Sequence, residues 1–169
     1  MKLRFLTASA VFLTMSLFSS AQPLAVGAAA PLVTAPTETG APLALGEVYA
    51  ANTYTLVYFY PKADTPGCTA QGCSLRDAYA ELLEKGVAVI GVSTDKPEAQ
   101  AKFKAKYNLP FTLLADHDKK VVEAFGVPTT MGFAKRQAYL IKDGKIIWAD
   151  HSASTGQQAA DVLKVLAAE

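Results

Sequence analysis

Cysteine is scarce in this chain, with two residues in 169, and the two histidines, His117 and His151, lie far apart. A structural zinc site wants four ligands, usually opening with a close pair such as C-x-x-C. A metal site is therefore not expected, and no cofactor is expected either. An excess of one charge is missing too, since 16 basic residues stand against 15 acidic ones without any block of like sign. That balance excludes the electrostatic footprint of a nucleic-acid or membrane-surface binder. Internal repeats and low-complexity runs are absent, which removes solenoids and disordered arrays.

Long apolar runs are few, and the first has the pattern of a leader. Lys2 and Arg4 precede an apolar stretch from Phe5 to Phe18, and Ser19-Ser20-Ala21 supplies the small residues a signal peptidase reads. The stretch is short for a membrane span, which needs about 20 residues. The expectation is a signal peptide over residues 1–21, cleavage after Ala21, and export to a periplasm or equivalent lumen. No stable membrane partner is expected. Residues 22–169 then form one domain with a formal charge of −1, once Lys2 and Arg4 are removed.

Along that domain, Gln22 to Pro36 reads as a loose Ala- and Pro-rich lead-in, followed by a turn at Glu38–Pro42. Leu43 to Ala50 reads as a short strand. Tyr54–Tyr60 and Val87–Ser93 are continuous apolar runs, as expected of strands covered on both faces. A helix is predicted from Pro66 to Glu84, another from Pro97 to Tyr107 with Lys102, Lys104 and Lys106 on its solvated side. A short strand, Phe111–Ala115, leads to a helix at Lys119–Phe125 and a loop at Val127–Lys135. Arg136–Ile141 and Ile146–Ala149 make a hairpin around Lys142-Asp143-Gly144-Lys145. Ser154 or Thr155 caps a last helix ending at Ala168. Strands alternating with helices, then a terminal hairpin and helix, give an α/β domain with a mixed central sheet flanked by helices, an order the thioredoxin-like fold satisfies.

Both cysteines fall in Pro61-Lys62-Ala63-Asp64-Thr65-Pro66-Gly67-Cys68-Thr69-Ala70-Gln71-Gly72-Cys73. Pro61 ends the preceding strand because it cannot donate to a ladder. Thr65 reads as an N-cap with Pro66 at the first helical position. Cys68 then sits in the first helical turn, where unpaired N–H groups and the macrodipole favour a thiolate. On a regular helix, Cys68 and Cys73 are separated by about 7.5 Å of rise, and their Cα atoms by about 8.7 Å. A disulfide tolerates about 4.4–6.8 Å, so bonding requires the first turns to unwind. Gly67 and Gly72 lower that cost, since Gly is about 1 kcal/mol poorer than Ala in a helix interior. A reactive thiol with a second thiol nearby is one reading; two buried small hydrophobes, or a static disulfide of an exported protein, are the others.

The run Tyr58-Phe59-Tyr60-Pro61-Lys62-Ala63-Asp64-Thr65-Pro66-Gly67-Cys68-Thr69 contains the P-x-x-x-T-x-x-C pattern of peroxiredoxins. With Cys73 five residues on, it resembles the bacterioferritin-comigratory-protein (peroxiredoxin Q) subfamily. Similarity extends through Gly91-Val92-Ser93, Phe111 to Asp116 and Arg136 to Gly144. The resemblance implies a thiol peroxidase acting on hydrogen peroxide and organic hydroperoxides. It makes Cys68 the peroxidatic thiolate and Cys73 the resolving cysteine of a Cys68–Cys73 disulfide, re-reduced by a thioredoxin-like protein. Thr65 would orient thiol or peroxide, Arg136 would stabilise the anionic groups, and Pro61 would shield the site. The backbone N–H groups of Gly67 and Cys68 would donate to the peroxide. An intramolecular pair needs no second subunit, so a monomer is expected.

One departure stands out: Gln71 occupies a position where many relatives carry Glu, and the amide removes a charge that would oppose the thiolate. Arg76 is expected to pair with a carboxylate such as Asp77. His117 and His151 receive no role, and Trp148 is expected to pack in the hairpin. Two competing functions remain. A copper chaperone of thioredoxin-like fold would show C-x-x-x-C with a downstream His, and a general disulfide oxidoreductase would show C-x-x-C. The spacing here is C-x-x-x-x-C.

Overall fold

The computed structural model describes residues 22–169, so the leader expected over residues 1–21 lies outside the described residues. In chain order the elements are β1 (Thr34–Pro36), β2 (Pro42–Ala44), α1 (Leu45–Ala51), β3 (Tyr54–Phe59), α2 (Pro66–Asp77), α3 (Tyr79–Glu84), β4 (Val87–Ser93), α4 (Pro97–Tyr107), β5 (Thr112–Ala115), α5 (Lys120–Ala124), β6 (Thr129–Thr130), β7 (Phe133–Ala134), β8 (Gln137–Lys142), β9 (Lys145–Asp150) and α6 (Gln158–Leu166).

The central sheet has the order β5-β4-β3-β8-β9. β3 and β4 run parallel, as do β4 and β5, whereas β8 is antiparallel to both β3 and β9. Along β3 the side chains alternate between two cores. Val57 and Phe59 join Leu45, Val122, Phe125 and Tyr139 on one face. Leu56 and Tyr58, with Tyr60 just beyond, join Cys68, Leu75, Phe103 and Phe111 on the other. Two covered faces explain why the run is apolar at every position rather than at every second one.

Several local expectations need correction. Leu43–Ala50 is not a strand: only Pro42–Ala44 is extended, and Leu45–Ala51 is helical. Leu45 and Tyr49, four residues apart, are both buried there, so packing of one helical face overrides a weak local pattern. The long helix from Pro66 breaks at Ala78 (φ −97°, ψ 7°), which divides α2 from α3. The loop at Val127–Lys135 contains a small hairpin, β6 on β7. The last helix starts at Gln158, after Ser154 and Thr155, with Gln157 at its cap position. Lys104 does not face water; it forms a half-buried ion pair with Glu38 at 2.5 Å.

Register sets where the site lies. Phe59 at the end of β3 pairs with Gln137 at the start of β8. Because those strands are antiparallel, the loop leaving β3 and the residue entering β8 meet at one end of the sheet. Arg136 is thereby carried to the start of α2.

Candidate active site

Cys68 and Cys73 are both free thiols, the first buried and the second half-buried, on the single helix α2. Thr65 occupies the cap position in extended geometry (φ −100°, ψ 153°), and Pro66 follows at the first helical position. The expected cap bond is not made. The Thr65 hydroxyl instead donates to the Lys62 carbonyl at 3.0 Å, which ties down the loop rather than the helix. The first intrahelical bond runs from Thr69 N–H to the Thr65 carbonyl at 2.8 Å. The N–H groups of Gly67 and Cys68 precede it and belong to the donors that a helix start leaves free. They lie at the buried thiol, where positive partial charge favours an anion.

Arg136 lies between two groups of this helix. Its Nη2 is 3.4 Å from Cys68 Sγ, and its Nη1 donates to Gln71 Oε1 in a close contact. A Cβ at Gly67 would stand 3.2 Å from Nη2, so glycine there lets the guanidinium lie against the backbone. Gln71 is fully buried and in turn donates from Nε2 to Gln158 Oε1 at 2.7 Å. The guanidinium is therefore held in place before any substrate arrives, and its positive charge meets the thiol in a largely dry setting.

A second network fixes the loop in front of the helix. Asp95 Oδ2 accepts from Ala63 N–H and from the Ser93 hydroxyl, both at 2.7 Å. Gln100 donates to Ser93 Oγ at 2.9 Å and to the Leu114 carbonyl at 2.8 Å, and it accepts from the Tyr60 hydroxyl. Asp64, at a positive φ of 59°, is gripped by Lys106 at 2.8 Å and by the Tyr107 hydroxyl at 2.6 Å. Pro61 is half-buried at the head of this loop. Lys62 lies 5.8 Å from the centroid of the Phe133 ring, so the β6–β7 hairpin flanks the same loop.

Sequence reasoning brought forward Pro61, Thr65, Cys68, Cys73 and Arg136, and the fold gathers them at one end of the sheet. It missed Gln158, Asp95, Ser93, Gln100 and Tyr107 as supports. No spacing rule links Gln71 to Gln158, 87 residues away; a buried-side glutamine at the start of an amphipathic helix was the only available signal. Tyr58 was missed as well. Its hydroxyl is buried without a partner among the described residues. Burial pushes its pKa well above the ordinary range, with added repulsion from Tyr60, Cys68 and Cys73 opposed by Arg136. Among the described residues, no group of three or more His, Cys, Asp or Glu side chains is arranged to hold a metal ion.

Comparison with known proteins is consistent with this geometry. A family model described as AhpC/TSA family matches residues 26–149. Peroxiredoxin Bcp of Escherichia coli is 50% identical over 105 residues, which is 62% of this chain and 66% of that protein's length. Peroxiredoxin Bcp of Bacillus subtilis is 37% identical over 121 residues, covering 67% of this chain and 77% of the relative. Among solved structures, peroxidoxin BcpB from Mycobacterium tuberculosis superposes with a TM-score of 0.79 at 32% identity, over 85% of this chain and 96% of that one.

Proposed function

The chain belongs to the AhpC/TSA family and has the thioredoxin-like peroxiredoxin fold, and from that premise we propose that it is a thiol-dependent peroxidase. The observation that carries the reading is the Arg136 guanidinium 3.4 Å from the buried Cys68 sulfur at a helix start. Cys68, as thiolate, attacks the distal oxygen of a hydroperoxide. A sulfur–oxygen bond forms, the oxygen–oxygen bond breaks, and the leaving oxygen takes a proton as water or alcohol. Cys68 is oxidised to a sulfenic acid, and the peroxide is reduced by two electrons.

Arg136 and the N–H groups of Gly67 and Cys68 stabilise the charge that moves from sulfur to the leaving oxygen. Thr65 orients the peroxide through its hydroxyl oxygen, and Pro61 shields the site from water. Cys73 then attacks the sulfenic sulfur; the sulfur–sulfur bond forms, the sulfur–oxygen bond breaks, and the oxygen leaves as water, giving the Cys68–Cys73 disulfide. A dithiol protein of thioredoxin type returns two electrons and two protons. Because both cysteines lie on one helix, the cycle closes within one subunit, and a monomer suffices. The leader sequence supports export, so the donor is a periplasmic or lumenal one.

The test is consumption of hydrogen peroxide and of organic hydroperoxides, coupled to a dithiol donor. Cys68→Ser should abolish it. Cys73→Ser should consume one equivalent and then stall unless an external thiol is supplied. Full turnover by Cys68→Ser would overturn the assignment.

A further inference from the structure

One peptide unit in front of α2 is held from both sides. The N–H of Ala63 donates to Asp95 Oδ2 at 2.7 Å, and the carbonyl of Lys62 accepts from the Thr65 hydroxyl at 3.0 Å. Both groups belong to the same planar Lys62–Ala63 peptide, which is trans, so they point in opposite directions. Whatever fixes the N–H therefore fixes the carbonyl. Asp95 and Thr65 stand at the two ends of one rigid plane.

The direction of each bond behind Asp95 is set from the core. A carbonyl only accepts, so the contact of Gln100 with the Leu114 carbonyl at 2.8 Å identifies its amide nitrogen, and that nitrogen also donates to Ser93 Oγ at 2.9 Å. Ser93 accepts there, and its own proton goes to Asp95 Oδ2 at 2.7 Å. Ser93 and Gln100 are fully buried, and Ser93 ends β4 beside Ala115 of β5. The Asp95 N–H closes the turn onto Ser93 Oγ at 3.3 Å. Asp95 is thereby an extension of the sheet, and the Ala63 N–H is where it meets the loop before Cys68.

We propose that Asp95 is a positioning residue for peroxide reduction: by holding the Lys62–Ala63 peptide, it keeps the Thr65 hydroxyl turned to accept from the O–H of the hydroperoxide. The proposal rests on the peroxidase reading. A hydroxyl has one proton and two lone pairs, and Thr65 commits its proton to the Lys62 carbonyl. The lone pairs are left for a donor. A hydroperoxide is a donor, whereas the Cys68 thiolate is not. Turned over, the same peptide would present an N–H to Thr65, and the hydroxyl oxygen would accept from that group instead of from substrate. The polarity of Thr65 depends on which way one peptide faces, and Asp95 selects the productive way before substrate arrives.

The test is a double-mutant cycle in the Cys73→Ser background, where Cys68 alone reacts. Stopped flow gives the rate of its single turnover with hydrogen peroxide, and iodoacetamide gives the rate of alkylation of the same sulfur. Asp95→Ala should slow the peroxide reaction about tenfold and leave alkylation within about twofold, since alkylation needs the thiolate but no hydroxyl acceptor. Asp95→Asn keeps an acceptor oxygen and should recover most of the rate. Thr65→Val keeps the branched shape without the hydroxyl, and in that background Asp95→Ala should have little further effect, because the coupled pair is already broken. Equal slowing by Asp95→Ala with and without the Thr65 hydroxyl would overturn the proposal. So would alkylation that falls in step with peroxide reduction, Asp95→Asn no faster than Asp95→Ala, or Asp95→Ala as fast as the parent. Hydrogen exchange of the Ala63 amide needs no peroxidase activity: it should be faster in Asp95→Ala, and unchanged exchange would overturn the proposal even in an active chain. A parent inert to peroxide, by contrast, would refute the functional reading.

Discussion

Gln71 and Gln158 share a buried hydrogen bond of 2.7 Å that joins the first turns of α2 to the start of α6. Two more contacts run along the same line. Ser74 Oγ accepts from Ala159 N–H at 3.2 Å, and Thr155 Cγ2 lies 3.3 Å from where a Cβ on Gly67 would be. Residues 67, 71 and 74 form one stripe of α2, so the C-terminal helix braces the part of α2 that must open for the cysteines to meet. Because Gln71 also receives Arg136, the brace and the charge at Cys68 are one assembly.

Gln158→Leu removes the acceptor and leaves the buried Gln71 amide unpaired. The expected loss is about 1–3 kcal/mol of stability, read by denaturant unfolding. Arg136 should be held less firmly, and the first-turnover rate with peroxide should fall several-fold while Cys68 remains intact. A variant as stable and as fast as the parent would show that the glutamine pair is ornamental.

Arg136→Met tests the charge itself. A donor aimed at developing negative charge is worth about 10²–10³ in rate, so single-turnover peroxide reduction should slow by that order. Arg136→Lys should recover only part, because a single ammonium cannot hold Gln71 and face Cys68 with two separate nitrogens as the planar fork does. Stopped-flow measurement at saturating donor separates this from any effect on re-reduction.

Gly72→Ala tests the need for unwinding. A Cβ there would lie 3.5 Å from Leu109 and 3.6 Å from Phe103, an ordinary contact, so the fold accepts it. Alanine should stabilise α2 by about 1 kcal/mol and slow disulfide formation about fivefold if that helix must open first. Peroxide consumption in the first turnover should not change. The rate of thiol loss in a quenched-flow trace is the measurement.

How much of this was readable in advance follows the physics of each element. The strands Tyr54–Phe59, Val87–Ser93 and Gln137–Lys142 were legible because burial on both faces leaves unbroken apolar runs. Helix α2 was legible from Thr65-Pro66, even though the threonine side chain bonds elsewhere. Helix α1 was not, because its stability comes from Leu45 and Tyr49 docking in the core rather than from caps or propensity. The break at Ala78 has no glycine or proline to announce it. Arg136 was placed at Cys68 by resemblance; its physical reason, the pairing of Phe59 with Gln137, exists only once the sheet is assembled.

Tyr58→Phe should raise stability. The hydroxyl is buried and has no partner among the described residues, so deleting it removes a desolvated polar group while the ring contacts with Tyr60 and Phe111 remain. A gain of about 1 kcal/mol is expected, read from the unfolding midpoint. Unchanged peroxide reduction would confine Tyr58 to the core; a loss would assign its hydroxyl to the chemistry.

Acid stability should depend on Glu38. Burial pushes its pKa up, but the Lys104 ammonium at 2.5 Å and the Leu113 N–H at 3.0 Å outweigh burial and hold the carboxyl below its ordinary value of 4.5. A depressed carboxylate binds fewer protons folded than unfolded, so its contribution is complete above its unfolded value. That contribution is lost as pH falls through 4.5 and on through the lower folded value. Asp116 has the opposite sign: burial raises its pKa above 3.8, against the pull of the Val122 and Val121 N–H groups, so protonation relieves rather than costs. Glu38→Gln should therefore cost about 1.5–3 kcal/mol at neutral pH, the worth of a hydrogen bond to a charged group. Between pH 5 and 3 the difference from the parent should shrink toward zero, and urea unfolding across that interval is the check. A gap that stays constant as pH falls would mean that Glu38 acts through shape, not charge.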